Sequence, residues 1–100
     1  MYSIVNYEKA VFYDPAHSKA YNNMAFIFDQ QGNTSKAMAT IDQGLKTTPT
    51  DLHLNYNKAM FLYQTGRKPE AIEQLRHVIQ IAPDEVKIQE KLNEWLSKEK

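Results

Sequence analysis

The chain has no cysteine, three glycines, four prolines and one tryptophan in 100 residues. Without cysteine there is no disulfide scaffold and no thiolate-bound zinc, and the redox compartment is left open. A reducing cytoplasm is compatible and is the expected location. No apolar run approaches the ~18 residues of a membrane span. The stretch from Met1 to Ala10 carries Asn6, Glu8 and Lys9. It lacks a basic region followed by an apolar core and does not read as a signal peptide. Neither charge prevails: 12 acidic residues meet 12 basic ones, four of each in 1–50 and eight of each in 51–100. No basic face is available for phosphates, so nucleic-acid binding is disfavoured.

Residues for catalysis are equally sparse. His17, His53 and His77 are never three or four residues apart, so no two share a helical face as metal ligands. The three glycines are isolated and form no phosphate-cradling loop. Ser3, Ser18, Ser35 and Ser97 lie in no nucleophile motif. Asp84-Glu85 reads as the acidic start of a helix rather than a catalytic carboxylate pair. The chain is therefore expected to have no catalytic residue, no metal and no cofactor.

What is present is a period. Residues 18–51 are followed at once by a second copy, 52–85, in register at 34 residues. Asn23/Asn57, Ala25/Ala59, Gln30/Gln64, Gly32/Gly66, Ala37/Ala71 and Pro49/Pro83 are identical pairs. Phe28/Leu62, Ile41/Leu75 and Leu45/Ile79 keep their apolar character. A repeat of this length points to stacked supersecondary units.

Local signals predict six helices with breaks about every 17 residues. The first covers 3–14, with Ile4, Tyr7 and Val11 on one face, and Asp14-Pro15 stops it. The second covers about 16–31 and ends at Gly32. The third covers about 34–47, capped by Asn33 or Thr34, with Ala37, Met38, Ile41 and Leu45 inward. Gly44 inside it implies a close helix–helix approach. The fourth covers about 52–65, capped by Asp51 and closed by Gly66. The fifth covers about 68–81, with Pro69 in its first turn. The sixth, about 84–98, is capped by Asp84 and has Ile88, Leu92, Trp95 and Leu96 as its apolar stripe. No stretch shows strand alternation. Short connections make successive helices antiparallel, and stacking the pairs buries what no single pair can.

These residues resemble the tetratricopeptide repeat (TPR) family. Its pattern is Trp-x2-Leu-Gly-x2-Tyr, then Ala-x3-Phe, then Pro. The first copy reads Tyr21-x2-Met24-Ala25-x2-Phe28, Ala37-x3-Ile41, Pro49; the second reads Asn55-x2-Lys58-Ala59-x2-Leu62, Ala71-x3-Leu75, Pro83. Half a copy precedes them, with Tyr7, Ala10 and Pro15 in phase, and an opening helix follows, with Leu92 and Leu96 in phase. The resemblance implies an all-α, right-handed α-solenoid in a single domain, 1–100. It divides into a half repeat (1–17), two repeats (18–51 and 52–85) and a capping helix (86–100). Asn55 and Lys58 depart from the pattern and are expected to weaken packing within the second pair. Asn93 replaces a small residue, as suits a terminal helix.

The resemblance also implies the kind of work done: binding a peptide segment of another protein in a concave groove lined by the first helix of each pair. The residues expected there are Asn22, Asn23, Phe26, Gln30, Tyr56, Asn57, Met60, Tyr63, Lys87 and Lys91. Aromatic and apolar groups would supply area and amides would bond a peptide backbone. Phe26 and Met60 could instead cover neighbouring helices. Some relatives grip a chaperone's C-terminal carboxylate. Asn57, Lys87 and Lys91 fall in the matching later slots, but Asn22 and Phe26 occupy the earlier ones, so that clamp is incomplete. A solvated face shared with Glu90 and Glu94 is the favoured reading of Lys87 and Lys91. An alternative role is structural: Ile4, Val5 and Phe12 on an uncapped first helix would form the edge of a homodimer.

Overall fold

A computed structural model of the chain describes residues 8–10 and 17–98. Residues 8–10 are helical. Five helices follow: α1 (Ser18–Gln30), α2 (Thr34–Thr47), α3 (Leu52–Gln64), α4 (Lys68–Ile81) and α5 (Val86–Lys98). The described residues contain no strand. Ile4, Val5 and Phe12, expected at a dimer edge, lie outside them.

The helix ends follow from local chemistry. His17 caps α1, its Nδ1 accepting from the Ala20 N–H at 3.2 Å. Of the two candidates for α2, Asn33 is the cap, accepting from the Lys36 N–H. Asp51 caps α3 through the Leu54 N–H at 2.9 Å. Gly32 and Gly66 take positive φ, 81° and 86°, and let the chain turn back. The next N–H groups, of Asn33 and Arg67, then reach the carbonyls of Phe28 and Leu62, both at 2.9 Å.

The last helix corrects the expectation. It starts at Val86, not Asp84. Asp84 lies inside a turn closed by the Glu85 N–H on the Ala82 carbonyl at 3.2 Å. The same turn precedes α3, where the Asp51 N–H meets the Thr48 carbonyl. The position that caps α3 is therefore held by Glu85 before α5.

Among the described residues two apolar clusters form the core, and each crosses a repeat boundary. The first gathers Tyr21, Met24, Ala25, Phe28, Ala37 and Ile41 of α1 and α2 with Leu54 of α3. The second gathers Ala59, Leu62, Ala71, Leu75 and Val78 of α3 and α4 with Ile88, Leu92 and Trp95 of α5. Leu54 and Ile88 are 34 residues apart and do the same work: each carries the opening helix of one unit into the core of the unit before. That sharing makes the stack continuous.

Gly44 marks a close approach of α2 to α1 and α3. A Cβ there would lie 2.9 Å from Tyr21 Cγ and 3.1 Å from Leu54 Cδ1. The ring base of a buried tyrosine cannot swing aside. Gly44→Ala is therefore expected to destabilise by about 1–2 kcal/mol, overpacking outweighing alanine's better helix propensity. Urea unfolding of both forms checks this; a stabilised variant would show that α1 and α3 yield at this point.

The two departures from the repeat pattern are not packing defects. Asn55 is buried, 3% exposed, and fully hydrogen-bonded. Its Nδ2 donates to the Pro49 carbonyl at 2.9 Å and the Asp51 carbonyl at 2.8 Å, and its Oδ1 accepts from Gln74 Nε2 at 2.8 Å. Lys58 Nζ lies 2.9 Å from Asp42 Oδ1, joining α3 to α2 at a half-buried site. Asn55 thus ties the loop between repeats to α3 and α4, a contribution that offsets the apolar contact it replaces.

Candidate functional site

Three opening helices, α1, α3 and α5, carry the residues expected to line a groove. α1 and α3 are joined side by side along this face by two hydrogen bonds. Asn57 Nδ2 donates to Asn22 Oδ1 at 2.8 Å, and Gln64 Nε2 donates to Asp29 Oδ1 at 3.4 Å. Between them, one turn from each end, lies Phe26. It is 60% exposed, and among the described residues only Val86 is a comparably exposed large hydrophobic. Phe26 thus stands outside both core clusters, on the face that these two hydrogen bonds join.

The remaining residues divide by how much of them is already used. Tyr56 and Met60 are half-buried and pack on the second core cluster. Tyr63 stacks on Trp95 of α5, with ring centroids 4.3 Å apart and planes within 8°. One face of that ring is therefore occupied within the chain, and the Lys68 ammonium stands 5.5 Å from its centroid. Asn23 is half-buried and Gln30 exposed. On α5, Lys87 is exposed and makes no ion pair among the described residues, whereas Lys91 reaches Glu94 at 3.5 Å. Glu94 also accepts from Lys98 at 3.2 Å. That hydrogen bond, with the charges of Lys91 and Lys98, holds the Glu94 carboxyl below the usual carboxylate range.

Asp29 belongs to the same exposed side of α1 but was not singled out as a contact. Its Oδ1 accepts from Thr34 Oγ1 at 3.1 Å as well as from Gln64. Helical spacing, three residues on, places it beside Phe26, but it breaks the apolar and amide pattern that drew attention to the others.

Two shallow clefts elsewhere lie around the Asp42–Lys58 pair. One, of about 410 Å³, is bounded by Lys58, Leu62, Pro69, Glu70, Glu73 and Gln74. The other, of about 460 Å³, runs from Thr34 and Met38 to Asp42 and Arg67. Neither includes a residue expected in the groove. Among the described residues no three histidine, aspartate or glutamate side chains gather as metal ligands. No described helix is long and apolar enough to cross a membrane.

The tetratricopeptide repeat model matches residues 18–51 and 52–85, two adjacent copies covering most of the chain. The chain belongs to the tetratricopeptide repeat family. No curated protein sequence matches it. Solved structures with the same fold do. A crystal structure of MamA superposes with a TM-score of 0.76 at 17% identity, over 95% of this chain and 56% of that one. The Yersinia enterocolitica type III secretion chaperone SycD, in complex with a peptide of the translocator YopD, gives 0.81 at 13% identity, over 97% and 79%. A mutant O-GlcNAc transferase from Thermobaculum terrenum gives 0.78 at 20% identity, over 94% of this chain but 18% of the transferase. This TPR chain thus spans about half of the MamA chain and under a fifth of the transferase. At these identities the likeness is one of fold, an α-solenoid.

Proposed function

We propose that this TPR chain is a protein-interaction module that binds a segment of another protein on the concave face of α1, α3 and α5. The observation that carries the reading is Phe26: a large ring, 60% exposed, on a face whose polar neighbours are already tied together. Around it, Tyr56 and Met60 expose part of their surface, and Asn23, Asn57 and Gln30 supply amide groups for a peptide backbone. Lys87 and Lys91 stand at the α5 side. The binding role is non-enzymatic and needs no cofactor. SycD, with this fold, is seen with a peptide bound, which supports a peptide as the partner's form.

Phe26 is the residue to test, because removing it costs little packing. Phe26→Ala is expected to leave the thermal midpoint within a few degrees of wild type, an exposed ring contributing about 0.5 kcal/mol or less to folding. Affinity for the partner recovered from cells should fall at least about thirtyfold, as for a central aromatic contact. Calorimetric titration with circular dichroism reads both. Unchanged affinity with intact helicity would refute this face as the site.

A further inference from the structure

Asp29 is a carboxylate set where the fold itself gains little from it. It occupies the last turn of α1, where the helix dipole favours a cation, and that turn holds no basic residue. The start of α2 offsets part of this through the Thr34 hydroxyl, and α3 contributes the Gln64 amide. Both donors are neutral, and both fall on Oδ1. Asp29 makes no ion pair among the described residues, and the cations at this end of the array are engaged elsewhere. Lys36 stands 4.7 Å over the Phe28 ring, Arg67 pairs with Glu70, and Lys68 lies over Tyr63. The result is a half-buried negative charge, held in place from two sides, with no counter-ion of its own. It is three residues beyond Phe26 on the same helix. At that spacing two side chains stand side by side, about 5–6 Å apart at their Cβ atoms. Alternate residues of an extended segment point to the same side and are about 6.6 Å apart. One segment can therefore meet both groups with residues two positions apart.

Resting on the groove reading above, we infer that the partner segment carries a large apolar side chain and, two positions away, a lysine or arginine, the apolar group on Phe26 and the cation on Asp29. Phe26 supplies the buried area, and Asp29 supplies the sign of charge and the direction in which the segment runs. The charge complementarity is local. The chain as a whole is neutral, so it would not appear in any net-charge argument.

The test uses the full chain and a random-sequence peptide library displayed on phage. Selected peptides should share an aromatic or large aliphatic residue with Lys or Arg two positions away. Asp29→Asn keeps an oxygen for Thr34 and Gln64 and removes only the charge. It should bind the selected peptide about fivefold more weakly, with most of the salt dependence gone. Replacing the peptide's basic residue by glutamine should weaken wild type but not Asp29→Asn. Peptides that need Phe26 but show no basic enrichment, or that bind Asp29→Asn equally well, overturn this inference and leave the groove standing. Failure to select any peptide, or selected peptides indifferent to Phe26→Ala, overturns the groove reading with it. Self-association by light scattering that Phe26→Ala abolishes would assign the face to a second copy and overturn the inference likewise.

Discussion

Trp95→Ala is expected to destabilise the chain by about 4 kcal/mol, the range for deleting a buried tryptophan. Trp95 is 2% exposed and closes the second core cluster from the α5 side. Its loss also frees the Tyr63 ring, whose stacked partner it is. For a domain of this size total stability is of order 5–10 kcal/mol. The variant should therefore melt on the order of 20 °C lower. α5 contributes only Ile88, Leu92 and Trp95 to the buried core, so the change should be felt first as undocking of that helix. Amide hydrogen exchange would show α5 losing protection ahead of α1 and α2. A uniform loss over all helices would mean that the stack unfolds as one unit. A midpoint within a few degrees of wild type would mean that α5 is not part of the cooperative structure.

Asn55→Ala is expected to cost about 3 kcal/mol, roughly one for each side-chain hydrogen bond removed from a buried amide. The substitution leaves Gln74 Nε2 without its closest acceptor and the Pro49 carbonyl without its Asn55 donor. Asn55→Leu is the sharper comparison. The family pattern places a bulky apolar residue there, and Tyr21 fills the same position in the first copy. Leucine restores apolar area but none of the three bonds, so it should remain well below wild type. Chemical denaturation decides the matter: a leucine variant as stable as wild type would show that the amide network contributes nothing net.

The two variants also separate two kinds of information in the chain. The 34-residue period, the all-α class and most helix ends could be read from the sequence. Glycine and proline act through the backbone of their own neighbourhood, and Asn33 and Asp51 act on N–H groups three residues away. The inward stripes of α2 and α5 were readable for the same reason, since helical periodicity is local. Phe26 could be singled out because the register marks its face. The start of α5 was misplaced because Asp84 and Glu85 are both acidic, and only the backbone turn decides which one flanks the helix.

Other features have partners too distant in sequence for any pattern to join. Asn55 looked like a lost packing residue because its acceptors lie in a loop and its donor, Gln74, is 19 residues on. Tyr63 looked like a free groove ring until α5 brought Trp95 against it. The bonds of Asp29 could not be read from the sequence, because Gln64, 35 residues away, meets the same oxygen as Thr34 only in the fold.

By itself, then, the sequence determined the repeat, its register and the family, because these rest on short-range backbone preferences recurring at a constant interval. The tertiary structure alone decided which polar residues are spent inside the fold and which stay exposed. That distinction depends on hydrogen-bonding groups meeting in space, and stacking one repeat on the next is what brings them together.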